Sequence, residues 1–189
     1  MRHRLLYTML LFMAGTALAA TTDKDSLYEV EVVVFENKHT PTGGESDSAG
    51  KNAAPIPGLD NAIAPIAPTT GSYKLAGATQ LEKDGQYRVL THQRWIQPMD
   101  GKAAVKARRI SAGNELDGLV RVYLSRYLHA DVQLALKDET GAGDKRGAAR
   151  YYRLDEQRRV KNQEIHYFDH PRLGVLLRVS ALEKDSAGR

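Results

Sequence analysis

The chain has 189 residues, a formal net charge of +4 and no cysteine. This length suits one domain that buries a hydrophobic core. The lack of cysteine excludes disulfides and lipid attachment to a cysteine, so packing alone must stabilise the fold.

The amino-terminal residues have the features of a secretory signal peptide. Arg2 and Arg4 precede an apolar stretch at residues 5–18, and small residues then form a cleavage pattern after Ala19 or Ala20. A membrane anchor would need about 20 apolar residues. The sequence therefore predicts a periplasmic protein with no stable membrane insertion after signal cleavage.

Charge is distributed unevenly along the chain. Residues 86–180 hold 18 Lys and Arg against 11 Asp and Glu, a net of +7, whereas residues 20–85 hold 5 against 10, a net of −5. A basic half in the cell envelope indicates an anionic polymer as ligand, although a solvated sheet face rich in arginine explains the excess equally well. Nucleic acid is not expected as a partner in this compartment.

The first half of the chain predicts a strand, a long excursion and a helix. Tyr28–Phe35 is apolar on both faces towards its end, which predicts a strand running into the centre of a sheet. Residues 39–70 hold five of the seven prolines and have no periodicity. This composition predicts a flexible excursion or a segment ordered by a partner. Ser72–Asp84 has apolar residues at helical spacing and is followed by Gly85, which predicts a short helix.

Strand patterns fill the second half. In residues 119–136 the even positions are apolar, with Arg126 the only charge among them, and most odd positions are polar. At roughly 3.3 Å per residue this run would span about 60 Å, so a bend or bulge is expected near Arg126. Asp117-Gly118 predicts a tight turn before the run. The other predicted strands are Gln86–Gln97, Ala103–Ile110, Arg150–Val160, Gln163–Phe168 and Leu173–Leu182.

These elements predict an α+β fold, namely a mainly antiparallel, strongly twisted β-sheet with one short helix packed on it. The domain itself is expected to span residues 27–182 and to include the excursion at 39–70. The flanking segments are a signal peptide at 1–19, an amino-terminal tail at 20–26 and a carboxyl-terminal tail at 183–189.

Two clusters could carry chemistry, and neither has a strong signature. The potential metal ligands are Glu164, His166, Asp169 and His170. On an extended strand the two histidines would lie about 13 Å apart, so no metal is expected. His92, His129 and Asp131 are candidates for an acid–base pair, with Ser125 as a nucleophile, but no motif that activates a nucleophile is present. We therefore expect no catalytic residue, no cofactor and no enzyme activity.

The outward face of the long run predicts a binding surface. Sugar rings stack on aromatic side chains, and carboxylates of peptidoglycan stem peptides accept hydrogen bonds from arginine. The alternative is that these aromatic residues only pack across strands or against the helix. The predicted ligand-binding residues are Arg121, Tyr123, Tyr127, His129, Arg94 and Trp95.

Four blocks of the sequence point to a known family. They are YEVEVVVFEN at 28–37, YRVLTHQRWIQP at 87–98, LDGLVRVYLSRYLH at 116–129 and HYFDHPRLGVLLRV at 166–179. With the signal peptide, these blocks resemble the CsiV family of periplasmic peptidoglycan-binding proteins, and LDG with RYLH and YFDHP with GVL are the most specific pieces. The resemblance covers nearly all of the mature chain outside the excursion.

The resemblance implies a non-enzymatic periplasmic protein that binds peptidoglycan and supports cell-wall assembly and cell shape. It implies no binding residues. It also suggests a class A penicillin-binding synthase or its lipoprotein activator as a partner. The competing hypothesis is an adaptor for a synthase complex that does not touch the wall directly.

Overall fold

The structure is a computed structural model, and it describes residues 26–38, 56–83, 85–138 and 151–182. The predicted signal peptide, residues 39–55 and the tail from 183 lie outside these ranges. No helix in the described ranges is long and apolar enough to cross a membrane. The strands are β1 Leu27–Asn37, β2 Tyr87–Pro98, β3 Arg108–Ala112, β4 Leu116–Leu124, β5 Leu128–Lys137, β6 Tyr151–Arg159, β7 Ile165–His170 and β8 Leu173–Ala181. Short 3-10 helices lie at Leu59–Asn61 and Ala76–Glu82.

The strands of the described ranges form two antiparallel sheets of four strands each. Sheet A has the order β2-β1-β8-β7, and sheet B has the order β3-β4-β5-β6. The predicted antiparallel architecture and the central position of β1 are confirmed. The prediction of one sheet is wrong, because a single sheet would leave the apolar faces of its strands without a second layer to cover them.

The inner faces of the two sheets share one hydrophobic core. Sheet A contributes Val30 and Trp95 among others, and sheet B contributes the inward positions of the long run. Leu124 is partly buried at the end of β4. The buried inward positions of the run are Val120, Val122, Leu128, Ala130, Val132, Leu134 and Leu136. The predicted inward face is therefore confirmed, although two strands supply it.

The long run is a hairpin rather than one strand. Leu124 at the end of β4 pairs with Leu128 at the start of β5, and the amide of Ser125 donates to the carbonyl of Tyr127 at 2.9 Å. Because the turn has three residues, the alternation keeps its parity from one strand to the next. The break is where a bend was predicted, but Arg126 lies exposed in the turn and not on the core face.

The turn before β4 lies earlier than predicted. Residues 113–115 form it, and Gly113 has a φ of 51°. Asp117 and Gly118 are inside β4. A β-carbon on Gly118 would collide with the backbone oxygen of Gln133. This glycine therefore allows close approach of β4 and β5 and does not form a turn.

The predicted short helix is a 3-10 helix on the outer face of sheet A. Leu75 and Ala78 are buried in a cluster with Val33 of β1. Leu75 lies directly before this helix, and no side chain caps its amino terminus. In the described residues the fold is thus mainly antiparallel β, and its degree of twist stays a prediction.

Glu31 of β1 holds the chain that enters this helix. Its side chain is 2% exposed and accepts hydrogen bonds from the backbone amides of Lys74 and Leu75 at 2.8 and 2.9 Å. His92 Nε2 lies 2.7 Å from the same carboxylate. The segment at 70–75 is therefore fixed on the outer face of sheet A by a buried polar group.

Residues 56–63 of the predicted excursion pack on the outer face of sheet B. Ile56 is buried in a cluster with Ala107 and Leu119. Ile63 forms a parallel bridge with Arg108 at the start of β3. This part of the excursion covers the sheet and does not stand away from the domain.

Arg88 of β2 joins the two sheets at one end of the molecule. Its guanidinium lies 2.9 Å from Glu36 of β1 and 2.8 Å from Glu115 in the β3–β4 turn. The hydrogen bond to Glu115 raises the pKa of Arg88 above its ordinary value. Arg172 in the β7–β8 turn also binds Glu36, at 3.1 Å. The resulting network links two strand ends and two turns through charge-assisted hydrogen bonds.

Candidate functional site

Four of the six predicted binding residues come together at the hairpin end of sheet B. In the strand register Tyr123 of β4 faces His129 of β5, and Arg159 of β6 faces His129 from the other side. Side chains directly opposite each other in antiparallel strands lie on the same face. We define the hairpin platform as Arg121, Tyr123, Arg126, Tyr127, His129 and Arg159.

Tyr123 forms the floor of the hairpin platform. Its side chain is buried, its ring stacks on His129 with centroids 5.3 Å apart, and its hydroxyl accepts a hydrogen bond from Gln157 at 2.7 Å. Lys102 lies over the same ring at 5.2 Å and binds Asp131 at 2.7 Å. The hydrogen bond to Asp131 raises the pKa of Lys102. Tyr123 therefore positions its neighbours and offers no open face for a sugar ring.

Tyr127 is the exposed aromatic residue of the platform, with 40% of its surface accessible. The guanidinium of Arg159 lies 3.5 Å from its ring centroid, and that of Arg126 lies 5.6 Å away. Cation–π contact of this kind holds a guanidinium in place without using its N–H donors. The Tyr127 carbonyl lies 2.8 Å from His129 Nδ1, which fixes the backbone of the turn.

Three arginines of the platform have no carboxylate partner within the part of the chain that the structure describes. They are Arg121, Arg126 and Arg159. The buried Nε of Arg121 also lacks a hydrogen-bond acceptor among those residues. The platform therefore brings three guanidinium groups without a carboxylate partner to the hairpin end of sheet B, two from strands and one from the turn.

The other two predicted residues, Arg94 and Trp95, lie on β2 of sheet A. Trp95 is buried in the core, and its indole N–H donates to Gln97 at 2.7 Å. Arg94 is buried too, where it binds Glu29 at 2.7 Å and donates to the carbonyls of residues 70 and 71. Trp95 therefore has a packing role, which is the alternative to ligand binding that the sequence left open for these aromatic residues. Neither residue belongs to the hairpin platform.

A cleft of about 330 Å³ lies where β2 and β3 face each other across the seam between the sheets. Arg94 borders this cleft. Its walls combine small apolar residues of the 64–67 segment with polar residues of both strands. The lining residues are Ala64, Pro65, Ala67, Tyr73, His92, Gln93, Arg94, Arg109 and Ser111.

The potential metal ligands of the β7 region take part in separate contacts. His166 Nε2 accepts from the amide of Lys161, and His170 Nδ1 accepts from the amide of Arg172. Burial lowers the pKa of His170, as suits a neutral ring that accepts. Asp169 accepts from the hydroxyl of Tyr167, whose pKa is raised mainly by desolvation. Among the described residues no group of three or more His, Cys, Asp or Glu side chains could hold a metal ion.

Sequence reasoning missed Arg159, Arg126 and the whole cleft. The alternation within β6 could have placed Arg159 on an outer face, but only the β5–β6 register sets it opposite His129. Arg126 falls on the core face only if the long run is taken as one strand. No local signal could reveal the cleft, because Tyr73 and Ser111 are brought together by tertiary packing.

The comparisons with known proteins give one match. No curated protein and no solved structure matches the chain. A family model described as "Peptidoglycan-binding protein, CsiV" matches residues 59–182, which include the platform, the cleft and seven of the eight strands. The chain therefore belongs to the CsiV family of peptidoglycan-binding proteins.

Proposed function

We propose that the protein is a non-catalytic periplasmic protein that binds peptidoglycan through the hairpin platform and supports cell-wall assembly and cell shape. The observation that carries the proposal is the set of three arginines without carboxylate partners among the described residues, gathered at the hairpin end of sheet B. Family membership supports peptidoglycan as the ligand. The basic second half of the sequence agrees with an anionic polymer.

The chemistry of the platform suits the carboxylates of stem peptides. A guanidinium offers paired N–H donors that match the two oxygens of a carboxylate. Tyr127 holds Arg126 and Arg159 near its ring, so less side-chain entropy is lost when a ligand binds. Arg121 lies on β4, farther from the hairpin turn than Tyr123, and offers donors for a second carboxylate or a carbonyl of the ligand. The platform would then recognise peptide stems rather than sugar rings.

Co-sedimentation with protein-free sacculi tests this function. We expect the purified protein to be retained at ~0.15 M salt and, more weakly, at ~0.5 M salt, since only part of the binding is long-range attraction. Arg159→Gln should weaken retention about tenfold, the equivalent of ~1.4 kcal/mol. The measurement is the apparent dissociation constant from the bound fraction.

Arg178→Gln is the matched control, because Arg178 lies on β8 of sheet A and also has no carboxylate partner in the described ranges. It removes the same charge from a different surface. Equal weakening by both variants would mean that binding depends on net charge and would overturn the platform as the site. No retention of the wild-type protein would overturn peptidoglycan binding itself.

An adaptor role is the alternative, and one feature favours it. β7 is an edge strand of sheet A and carries the exposed Ile165 and Tyr167. Another protein can add a strand to such an edge. A class A penicillin-binding synthase or its lipoprotein activator is the proposed partner.

Ile165→Lys should abolish capture of the purified synthase or activator while leaving retention on sacculi intact. Ile66→Lys changes a still more exposed isoleucine that lies outside the strands of both sheets, and it should alter neither. The measurement is a pull-down with purified components. Capture that depends on Ile165, together with no retention on bare sacculi, would make the adaptor the main function.

A further inference from the structure

The geometry points to Lys102, in the loop between β2 and β3, as a positioning residue that keeps Arg121 of the hairpin platform open to ligand. Lys102 does so by binding Asp131, the carboxylate that would otherwise pair with Arg121. This inference rests on the proposed function, because it concerns how the platform binds the carboxylates of stem peptides. It adds a residue outside the platform that controls whether one of the three arginines is available.

Arg121 and Asp131 occupy positions that favour an ion pair. Arg121 of β4 lies directly opposite Asp131 of β5 in the strand register. Side chains in such positions share one face, with β-carbons about 4.5–5.5 Å apart, and opposite charges there attract. Yet within the described residues the buried Nε of Arg121 has no acceptor and the buried Oδ1 of Asp131 has no donor. Buried polar atoms are nearly always paired, so this unmade pair needs an explanation.

Lys102 explains why Arg121 and Asp131 do not pair. Its ammonium lies 2.7 Å from Oδ2 of Asp131 and 5.2 Å from the ring centroid of Tyr123. The pKa of Lys102 is raised, chiefly by the hydrogen bond to Asp131, while the charge of Arg121 acts in the opposite direction. Both cations therefore lie close to one carboxylate. Because Lys102 neutralises it, Arg121 gains less by turning to Asp131, and its half-buried side chain keeps its terminal N–H donors for a ligand.

The loop that carries Lys102 is fixed at both ends. Met99 is buried in the shared core, and Ala107 is buried in a second apolar cluster. Between them, the carbonyl of Asp100 accepts a hydrogen bond from the amide of Leu124 at 2.9 Å. A side chain on a fixed loop loses less conformational entropy in a contact than one on a mobile loop. The position of Lys102 beside the platform is therefore set by the fold.

Retention of variants on sacculi tests the inference. In Lys102→Gln we expect Asp131 to pair with Arg121. If about one fifth of the molecules then keep an open Arg121, retention weakens about fivefold. Lys102→Arg keeps a cation at Asp131 and should restore wild-type retention. Lys106→Gln is the matched control, because it removes the same charge from an exposed position of the same loop. It should change retention by less than about twofold, since exposed charges are screened by salt.

A double variant separates this mechanism from long-range attraction. In an Asp131→Asn protein Arg121 has no carboxylate opposite it, so adding Lys102→Gln should weaken retention by less than about twofold. Long-range attraction would instead give the same loss of about fivefold in both backgrounds. That result, or equal effects of Lys102→Gln and Lys106→Gln, would overturn the role of Lys102.

NMR tests the inference without any ligand. The Nε–H signal of Arg121, identified by its absence in Arg121→Gln, should shift in Lys102→Gln and stay in place in Lys106→Gln. The reason is that a charge-assisted hydrogen bond to a carboxylate changes the environment of the donor. An unshifted signal in Lys102→Gln would overturn the inference, whether or not sacculi are bound. A shifted signal without retention of the wild-type protein on sacculi would overturn the proposed function and leave the control of Arg121 by Lys102 standing.

Discussion

Replacing Glu31 with leucine is expected to lower the free energy of unfolding by about 3–5 kcal/mol, the range for breaking a buried charged network. The carboxylate is 2% exposed and serves as acceptor for two backbone amides, those of Lys74 and Leu75, and as partner of His92. Leucine would leave the buried amide of Leu75 without an acceptor, and it would remove the partner of the part-buried Lys74 amide and of His92. Glu31→Gln keeps one oxygen acceptor and should fall between wild type and leucine. Chemical denaturation monitored by circular dichroism measures the effect.

Glu164→Leu is the control for this prediction. Glu164 is exposed, and its one ion pair among the described residues is with Lys161 at 3.1 Å, so its loss should change stability by less than about 0.5 kcal/mol. A Glu31→Leu protein as stable as wild type would mean that the segment at 70–75 can leave the sheet at no cost. In that case the claim that Glu31 fixes residues 70–75 on the outer face of sheet A would be refuted.

Gly118→Ala is expected to destabilise the protein by about 3 kcal/mol, at the upper end for overpacking. The new β-carbon would collide with the backbone oxygen of Gln133 and would lie 2.7 Å from Leu134 Cα. These atoms belong to a paired strand and cannot rotate away as a flexible side chain would. β4 and β5 would have to separate, and the pairing that carries the hairpin platform would weaken. The decrease in unfolding free energy should therefore be accompanied by weaker retention on sacculi.

Gly77→Ala is the matched substitution. Gly77 lies in the 3-10 helix at Ala76–Glu82, its φ is not positive, and a β-carbon added to it would meet no atom within 4 Å. Alanine there should be neutral or stabilising by up to about 1 kcal/mol. If Gly118→Ala behaved like Gly77→Ala, the close approach of β4 to the neighbouring strand would be refuted.

The period-two alternation made the strands and their inner faces predictable. The inward positions of Val120 and Val132 were predicted correctly, because burial of one sheet face makes every second residue of a strand apolar. The hairpin could not be predicted, because its three-residue turn leaves the apolar residues on even positions both before Leu124 and after Leu128. The division into two sheets could not be read either, since alternation reports which face is buried and not which sheet covers it.

The candidate site was predictable only where neighbouring residues form it. Tyr123 and His129 meet because the strands of one hairpin pair locally. Arg159 joins them through the register of β6, and the cleft depends on how β2, β3 and the 64–67 segment meet. Trp95, the single tryptophan of the sequence, was predicted to bind ligand, but its side chain is buried in the core and its indole N–H donates to Gln97. Whether a polar or aromatic residue on a strand is open to ligand is decided by tertiary packing.

The pairing of β1 with β8 has a consequence for how the chain folds. Val30 pairs with Val179, so the strand near the beginning of the domain finds its partner near the end. Sheet A cannot be completed until β8 is available, whereas β3, β4, β5 and β6 pair in sequence order. Contacts between distant parts of a chain slow folding because a long loop must close first. We therefore expect sheet B to form early as a local meander and the closure of sheet A by β8 to limit the folding rate.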